Sequence, residues 1–435
     1  MSIIQASIPL YFLLIAAELF WSHRTGHRIY RLNDAVADIS CGVLSQMAGI
    51  FDKAITLGVY VWVVGHASMQ QWLPAIPAWP DRSPWSDAAP LGIDWAALAS
   101  WVVTFVLVDC CYYWSHRMGH EVNLLWAGHV VHHQSEEYNL SVALRQATIG
   151  KLFTWMFYLP LALIGVPWRL FVACYGVNLV YQFVLHTRAV GKLARPVEAV
   201  MNTPSHHRVH HGVNAKYQDR NYAGVFIVFD KLFGTYQVED DAEPVVYGVT
   251  KPLNTWNPVA ANLQVFRHLW EDWQRVTRWS DKLRLLFGRP GWRPPELGGP
   301  IPAPVVSVET YVKFDPPVPR VLAGYGMLQF VLATLAGVQL LRTAKTLPTS
   351  DAAAAAFLVV VALVGVAGVF ERAKWTRPME TARLVSLGLM GGVLVATEST
   401  YAAWGVGALV LSVVSLAILW HYRASFTEVA LAPVM

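Results

Sequence analysis

Histidine is concentrated in one part of this sequence, at spacings that suit metal binding. Ten of the 15 histidines lie between residues 116 and 211. Eight of them form three histidine boxes: His116 and His120; His129, His132 and His133; and His207, His210 and His211. Residues spaced i, i+3 or i+4 lie on one face of a helix, so each box can direct two or three imidazoles at a common centre.

The number of imidazoles predicts a site for two metal ions. A nitrogen-rich set of ligands suits Fe, Zn, Cu or Ni rather than Mg or Ca. Zinc hydrolases typically hold one ion with three protein ligands, whereas eight or nine imidazoles exceed what one ion can bind. The boxes therefore indicate a redox-active pair of ions.

Four further histidines need separate interpretations. His186 stands alone at the end of an apolar segment near the boxes, and we predict it as a ninth ligand. His206 directly precedes a box histidine, and we expect it to be a neighbour of the site. His23 and His27 also have i, i+4 spacing, but no second box accompanies them, so we expect a solvated surface beside the membrane.

The elements that must position the boxes are membrane helices. Charged residues make up 14% of the chain, against about 25% in a typical soluble domain. Apolar segments long enough, or nearly long enough, to cross a bilayer lie at about 3–20, 38–65, 93–114, 152–186, 320–341, 353–370, 384–397 and 401–420. Pro160, Gly165 and Pro167 interrupt the fourth segment, which predicts a helical hairpin. The first segment has no preceding basic region, which argues against a cleavable signal peptide.

The distribution of basic residues predicts the orientation. Arginine and lysine are frequent in 21–37, 187–320 and 371–383, whereas Arg82 is the only basic residue in 66–92. The positive-inside rule places the basic loops in the cytoplasm, with the boxes just beyond the cytoplasmic helix ends. We therefore expect an all-α, multi-span membrane protein whose cytoplasmic helical cap holds the metal site. The small net charge of +4 gives no reason to expect nucleic-acid binding.

Four parts of the chain are expected. We predict N-terminal membrane helices over 1–92, a catalytic domain with the three boxes over 93–250, a cytoplasmic connecting region over 251–319, and a C-terminal membrane unit over 320–435.

The residues around the boxes resemble a known family. The sequence reads Trp-Ser-His-Arg-Met-Gly-His at 114–120, Gly-His-Val-Val-His-His-Gln at 128–134 and Asn-Thr-Pro-Ser-His-His-Arg-Val-His-His-Gly at 202–212, with Asn-Tyr-Ala-Gly-Val from 221 and Asp-Lys-Leu-Phe-Gly-Thr-Tyr from 230. Together these sequence motifs resemble those of the fatty acid hydroxylase and sterol desaturase superfamily of membrane di-iron enzymes. The flanking residues are most similar to its tetrahydrobiopterin-dependent branch, which cleaves ether lipids.

The resemblance implies a specific reaction. Two iron ions, bound by the eight box histidines and His186, would use O2 to hydroxylate the ether-linked carbon of an alkylglycerol lipid, which then releases a fatty aldehyde and a glycerol derivative. Tetrahydrobiopterin would be the cofactor. Many relatives carry another histidine where this chain has Val190, so His206, a water molecule or a carboxylate would complete the ligand set.

The resemblance also brings carboxylates into consideration. Glu121 directly follows a box histidine and is a candidate to contact a ligand or the pterin, with an ordinary salt bridge as the alternative. Glu137, and similarly Glu136, is a weaker candidate for a catalytic role.

Other functions stay open at this point. Hydroxylation or desaturation of sterols, sphingolipids or fatty acids is the alternative within the superfamily. A metalloprotease would need His-Glu-x-x-His, but Val122, Asn123 and Leu124 follow Glu121. A metal transporter or sensor is the non-enzymatic alternative, although its ligands should lie within the spans. The membrane would be a bacterial inner membrane or the endoplasmic reticulum.

Overall fold

Helices form the regular secondary structure of the protein. The computed structural model describes residues 3–73, 79–80, 82–85, 92–302, 304–398 and 400–426, among which isolated bridges occur but no strand. The α-helices are α1 Ile3–Thr25, α2 Leu32–His66, α3 Met69–Trp72, α4 Trp95–Glu121, α5 Asn123–Ala127, α6 Lys151–Thr154, α7 Leu159–Leu163, α8 Trp168–Leu185, α9 Arg195–Val200, α10 Pro204–His210, α11 Val228–Phe233, α12 Pro258–Arg275, α13 Trp279–Phe287, α14 Arg320–Thr343, α15 Thr349–Glu371, α16 Thr376–Ala396 and α17 Ala402–His421. The predicted all-α class is confirmed for these residues.

Seven of these helices are long and apolar enough to cross a membrane, namely α1, α4, α8, α14, α15, α16 and α17. The segments Leu32–Asp52 and Ile55–Trp72 together pass the same test but bend by 45° at the break between them. The chain is therefore a multi-pass membrane protein, as its apolar segments predict.

The predicted break in segment 152–186 is present in the structure. A short run of helix ends at Leu163, and α8 begins at Trp168. Gly165 lies between them with φ +84°, a conformation that favours glycine. The indole N–H of Trp79 donates to the Ile164 carbonyl at 2.8 Å, and the Tyr60 hydroxyl donates to the Val166 carbonyl at 3.0 Å. These hydrogen bonds satisfy carbonyls that the broken helix leaves unpaired.

The chain divides into two compact units, neither continuous in sequence. The first comprises Met1–Arg31, Phe51–Pro252 and Asn262–Val312. The second comprises Leu32–Ile50, Leu253–Ala261 and Lys313–Met435. Helix α2 contributes its first half to the second unit and its second half to the first. The four-part division that we predict from the sequence stays a prediction.

In the first unit, α4 and α8 pack together and bring their C-terminal ends to one region. Val108 and Leu170 are buried in a shared apolar cluster. The Asn178 side chain donates to the Asp109 carboxylate at 2.7 Å, and both side chains are fully buried. His120 lies in the last turn of α4, and His186 directly follows α8. The packing of these two helices therefore determines the positions of the first box and of His186 relative to each other.

In the second unit, a buried polar network joins α14, α16 and α17. Arg383 donates to both oxygens of Glu380 at 2.8 Å and to the side-chain oxygen of Gln329 at 2.8 Å. Tyr325 donates to Glu380 at 2.7 Å, and Gln329 donates to Ser415 at 3.2 Å. An unpaired charge is costly inside a membrane protein. Because each charged side chain of this network has hydrogen-bond partners within it, the network can be buried.

Glycine allows α16 and α17 to approach closely. A Cβ atom at Gly391 would lie 2.6 Å from the carbonyl oxygen of Gly405, whereas a Cβ atom at Gly392 would have no described atom within 4 Å. We expect Gly391→Val to lower the free energy of unfolding by about 1–3 kcal/mol because the two helices must separate. Gly392→Val is the matched control and should lie within about 0.5 kcal/mol of the parent after correction for helix propensity. Equal unfolding midpoints for the two variants in detergent would contradict this packing.

Candidate metal centre

The structure brings all nine predicted histidines together in two groups. The first contains five: His116, His120, His129, His133 and His210. The second contains four: His132, His186, His207 and His211. Within each group, the candidate ligand nitrogens all lie within 4.8 Å of one another. The groups adjoin, since the ring centroids of His133 and His211 are 4.5 Å apart.

Each of the second and third boxes contributes to both groups. His129 and His133 enter the first group, while His132 enters the second. In the third box, His207 and His211 enter the second group, while the intervening His210 enters the first. In an α-helix such as α10, which carries the third box, residues four apart point the same way and successive residues point about 100° apart. The second box lies instead on a 3-10 turn at Val130–His133. A box of three therefore serves two neighbouring centres, although from sequence we expected each box to point at one.

Backbone carbonyls determine the tautomer of four of these histidines. The Nδ1 atoms of His116, His132, His186 and His210 lie 2.8, 3.1, 2.8 and 2.9 Å, respectively, from the carbonyl oxygens of Tyr222, Arg145, Gln182 and Arg220. A carbonyl oxygen only accepts hydrogen bonds, so each Nδ1 carries a proton. In the neutral imidazole the Nε2 lone pair is then free to bind a metal ion.

Two of these lone pairs face each other directly. The Nε2 atoms of His132 and His186 are 3.1 Å apart, and both rings carry their proton on Nδ1. Burial lowers the pKa of His132 to about 4 and lowers the pKa of His186 well below its ordinary value. Neither ring therefore carries a second proton at neutral pH. Two bare nitrogen lone pairs at this distance repel each other, and a cation between them relieves the repulsion.

The remaining nitrogens are also consistent with metal binding. The Nε2 of His129 lies 3.1 Å from that of His116 and 3.2 Å from that of His133, and the Nε2 of His207 lies 3.1 Å from that of His186. Ligands at right angles around an ion with metal–nitrogen distances of about 2.1 Å would be about 3.0 Å apart.

Four further nitrogens of the nine histidines are buried without a hydrogen-bond partner among the described residues, namely Nε2 of His120, His210 and His211 and Nδ1 of His207. Buried polar atoms normally have a partner. A bound ion would supply it for the three Nε2 atoms, so the donor set fits a pair of transition-metal ions.

His206 lies outside both groups. Its Nε2 atom is 3.0 Å from a carboxylate oxygen of Glu198 and 3.5 Å from the Tyr236 hydroxyl. The structure therefore does not place His206 among the candidate ligands. His23 and His27 are exposed and belong to neither group.

The predicted carboxylates lie in ion pairs. Glu121 accepts from Arg117 at 2.9 Å on the same face of α4. Glu137 is buried between two guanidinium groups, with Arg31 at 2.9 Å and Arg188 at 2.6 Å. Neither belongs to a histidine group. The catalytic and pterin-binding roles that we expect for them stay predictions.

One buried carboxylate near the site was missed by the sequence analysis. Glu18, in α1, accepts hydrogen bonds from the Tyr30 hydroxyl at 2.5 Å, from the Leu140 backbone N–H at 2.8 Å and from the Thr187 hydroxyl. Thr187 directly follows His186, so α1 is tied to the segment that carries this ligand candidate. The sequence feature that could have identified Glu18 is its position as a lone acidic residue within an apolar helix.

The membrane helices and the paired histidine groups define a class of protein, the membrane hydroxylases with histidine boxes. Residues 101–235 match the fatty acid hydroxylase family. Alkylglycerol monooxygenase from Xenopus tropicalis is 32% identical over 422 residues, which cover 93% of this chain and 89% of the relative. The human enzyme of that name is 38% identical over 337 residues, and the Danio rerio enzyme is 37% identical over 322, covering 76% and 74% of this chain and 69% and 66% of the relatives.

The chain belongs to the alkylglycerol monooxygenase family. This membership confirms the prediction that the protein is an enzyme, an oxidoreductase of the monooxygenase type. No solved structure matches the chain.

Proposed function

We propose that this protein is a di-iron monooxygenase that cleaves alkylglycerol ether lipids. The observation that carries the proposal is the pair of facing Nε2 atoms on His132 and His186, 3.1 Å apart, each with Nδ1 committed to a backbone carbonyl. We assign one ion to the five-histidine group and one to the four-histidine group. The membership of the alkylglycerol monooxygenase family supports iron over zinc and supports this substrate class.

The proposed reaction inserts one atom of O2 into a C–H bond. When bound, the iron pair supplies the oxygen-activating chemistry. Tetrahydrobiopterin provides two electrons and two protons, so the second oxygen atom leaves as water. The substrate carbon next to the ether oxygen gains a hydroxyl group. The resulting hemiacetal breaks its C–O bond, giving a fatty aldehyde and a free glycerol hydroxyl.

The protein's own residues hold the ligands and shelter the site. Backbone carbonyls keep a proton on Nδ1 of four ligand candidates, which directs their Nε2 atoms toward the proposed ions. Eight of the nine histidines are buried, and His129 is half-buried, which limits access of water. A dry site strengthens the interaction of fixed charges with reacting groups.

The placement of the site favours a lipid substrate. His120 and His186 lie at the C-terminal ends of α4 and α8, two candidate membrane spans. The outward faces of these helices expose apolar side chains such as Val102 and Val184. We propose that the alkyl chain lies along this apolar surface while the glycerol end reaches the histidines. The basic loops favour the cytoplasmic side for this end of the helices.

The test is aldehyde release from a 1-O-alkylglycerol by the purified protein in lipid vesicles, with O2 and tetrahydrobiopterin. We expect aldehyde release to require the protein, O2 and tetrahydrobiopterin. The aldehyde should acquire its carbonyl oxygen from ¹⁸O2, which is measured by rapid trapping before exchange with water. Metal analysis should give about two iron ions per chain. Sterol and ceramide substrates, supplied with a ferredoxin reductant, are the comparison. Turnover of those substrates but not of the alkylglycerol would overturn the proposal.

A further inference from the structure

We infer that the segment 219–222, outside the three boxes, positions two of the five ligands in the first histidine group and places a carboxylate beside a third, and that Asp230 holds this segment in place. The inference rests on the proposed metal centre. It concerns hydrogen bonds within this chain. We call residues 219–222 the acceptor segment.

The acceptor segment contacts three histidines of the five-histidine group and none of the four-histidine group. The Tyr222 carbonyl lies 2.8 Å from Nδ1 of His116, and the Arg220 carbonyl lies 2.9 Å from Nδ1 of His210. The Asp219 carboxylate is 3.6 Å from Nδ1 of His120, longer than a hydrogen bond but close enough for an electrostatic interaction. The segment therefore sets the tautomers of two rings through carbonyl hydrogen bonds and places a carboxylate beside a third ring.

The orientation of the two carbonyls is fixed by the hydrogen bonds that the N–H groups of the same peptide groups donate. In a trans peptide, the C=O of one residue and the N–H of the next point in opposite directions. The N–H of Ala223, which shares a peptide group with the Tyr222 carbonyl, donates to Asp230 at 2.8 Å. The N–H of Asn221, which shares a peptide group with the Arg220 carbonyl, donates to the Thr235 carbonyl at 3.0 Å.

Asp230 is the centre of this support. Its carboxylate is fully buried and accepts from the N–H groups of Tyr222 and Ala223, each at 2.8 Å. It also accepts from the Thr235 hydroxyl at 2.7 Å. One oxygen therefore holds the peptide group that carries the Tyr222 carbonyl, and the other holds the preceding peptide group, between Asn221 and Tyr222. We assign Asp230 as a positioning residue that acts through this backbone on His116.

Asn221 links the acceptor segment to the third box. It is fully buried with φ 55°, a conformation that non-glycine residues rarely adopt. Its side-chain amide donates to the His206 carbonyl at 3.0 Å and to the Gln237 carbonyl at 2.7 Å, and its side-chain oxygen accepts from the Gln237 N–H at 2.8 Å. These bonds hold the unusual backbone and tie the segment to α10.

The second histidine group has different support. The carbonyl of Gln182, within α8, accepts from His186, and the Arg145 carbonyl accepts from His132. The Arg145 guanidinium also donates to the Val131 carbonyl at 2.7 Å, within the second box. Loss of Asp230 should therefore weaken binding of one ion and spare the other.

The test compares Asp230→Asn with Asp109→Asn in the full-length protein. Asp109 is a matched control because it is also fully buried and accepts from two consecutive backbone N–H groups, those of Val225 and Phe226, without contacting the acceptor segment. For Asp230→Asn we expect the affinity of one ion to fall about 10–100-fold and the affinity of the other to change less than threefold, measured by chelator competition. Mössbauer spectra of ⁵⁷Fe-loaded protein should lose one of two signals.

The outcomes separate this inference from the proposed function. If the parent protein binds no metal, the proposed function fails. If the parent binds two ions and Asp230→Asn loses both equally or neither, the positioning role is overturned. Selective loss of one ion by Asp109→Asn would also overturn it. Should Asp230→Asn fail to fold, Thr235→Val removes one donor to the same carboxylate and should weaken the same ion by a smaller factor.

Discussion

Replacing His186 by alanine is expected to remove one metal ion per chain and to lower monooxygenase turnover by more than about 100-fold. This exceeds the effect usually seen when a residue that merely supports a ligand is removed. The Nε2 atom of His186 lies 3.1 Å from those of both His132 and His207, so its loss removes the nitrogen between two others in the four-histidine group. Metal content by mass spectrometry and aldehyde release are the measurements.

His206→Ala is the matched control for this prediction. His206 is as buried as His186 and is a direct neighbour of His207, but its Nε2 atom faces Glu198 at 3.0 Å. We expect this variant to retain two ions per chain. Two ions retained by His186→Ala, or one lost by His206→Ala, would show that the histidine groups are assigned incorrectly.

Replacing Arg208 by methionine is expected to lower the free energy of unfolding by about 3–5 kcal/mol, the usual cost of removing one partner from a buried ion pair. Arg208 donates to both oxygens of Glu239, each at 2.7 Å. It also donates to the carbonyls of Thr187 at 3.1 Å and Val190 at 2.7 Å. The substitution leaves a largely buried carboxylate and two carbonyls without this donor.

Chemical unfolding in detergent micelles measures this effect, and a double variant tests its cause. In Arg208→Met with Glu239→Gln, the unpaired charge is removed as well, so the double variant should be more stable than Arg208→Met alone. If the two substitutions simply add, the ion pair is not the source of the stability. Because Thr187 and Val190 lie just after His186, we also expect faster metal release from Arg208→Met.

Features that depend on short stretches of sequence could be predicted. The long apolar segments predicted the membrane helices, because crossing a bilayer requires a minimum apolar length. Pro160, Gly165 and Pro167 predicted the break in the apolar segment 152–186, because proline and glycine interrupt a helix locally. The sequence motifs around the histidine boxes also indicated the family, which the comparison with relatives confirms. Each of these features depends on residues that are close together in the sequence.

By itself, the sequence determined the membrane helices and the candidate ligands, since both follow from residue type and spacing. Only the tertiary structure decided how the nine histidines divide into five and four, because that depends on where α4, α8 and the boxes meet. It also decided that Tyr222 and Arg220 support the ligands: every residue has a carbonyl, so no residue type marks the ones that matter. The partner of His116 lies 106 residues away, and packing alone brings such distant groups together.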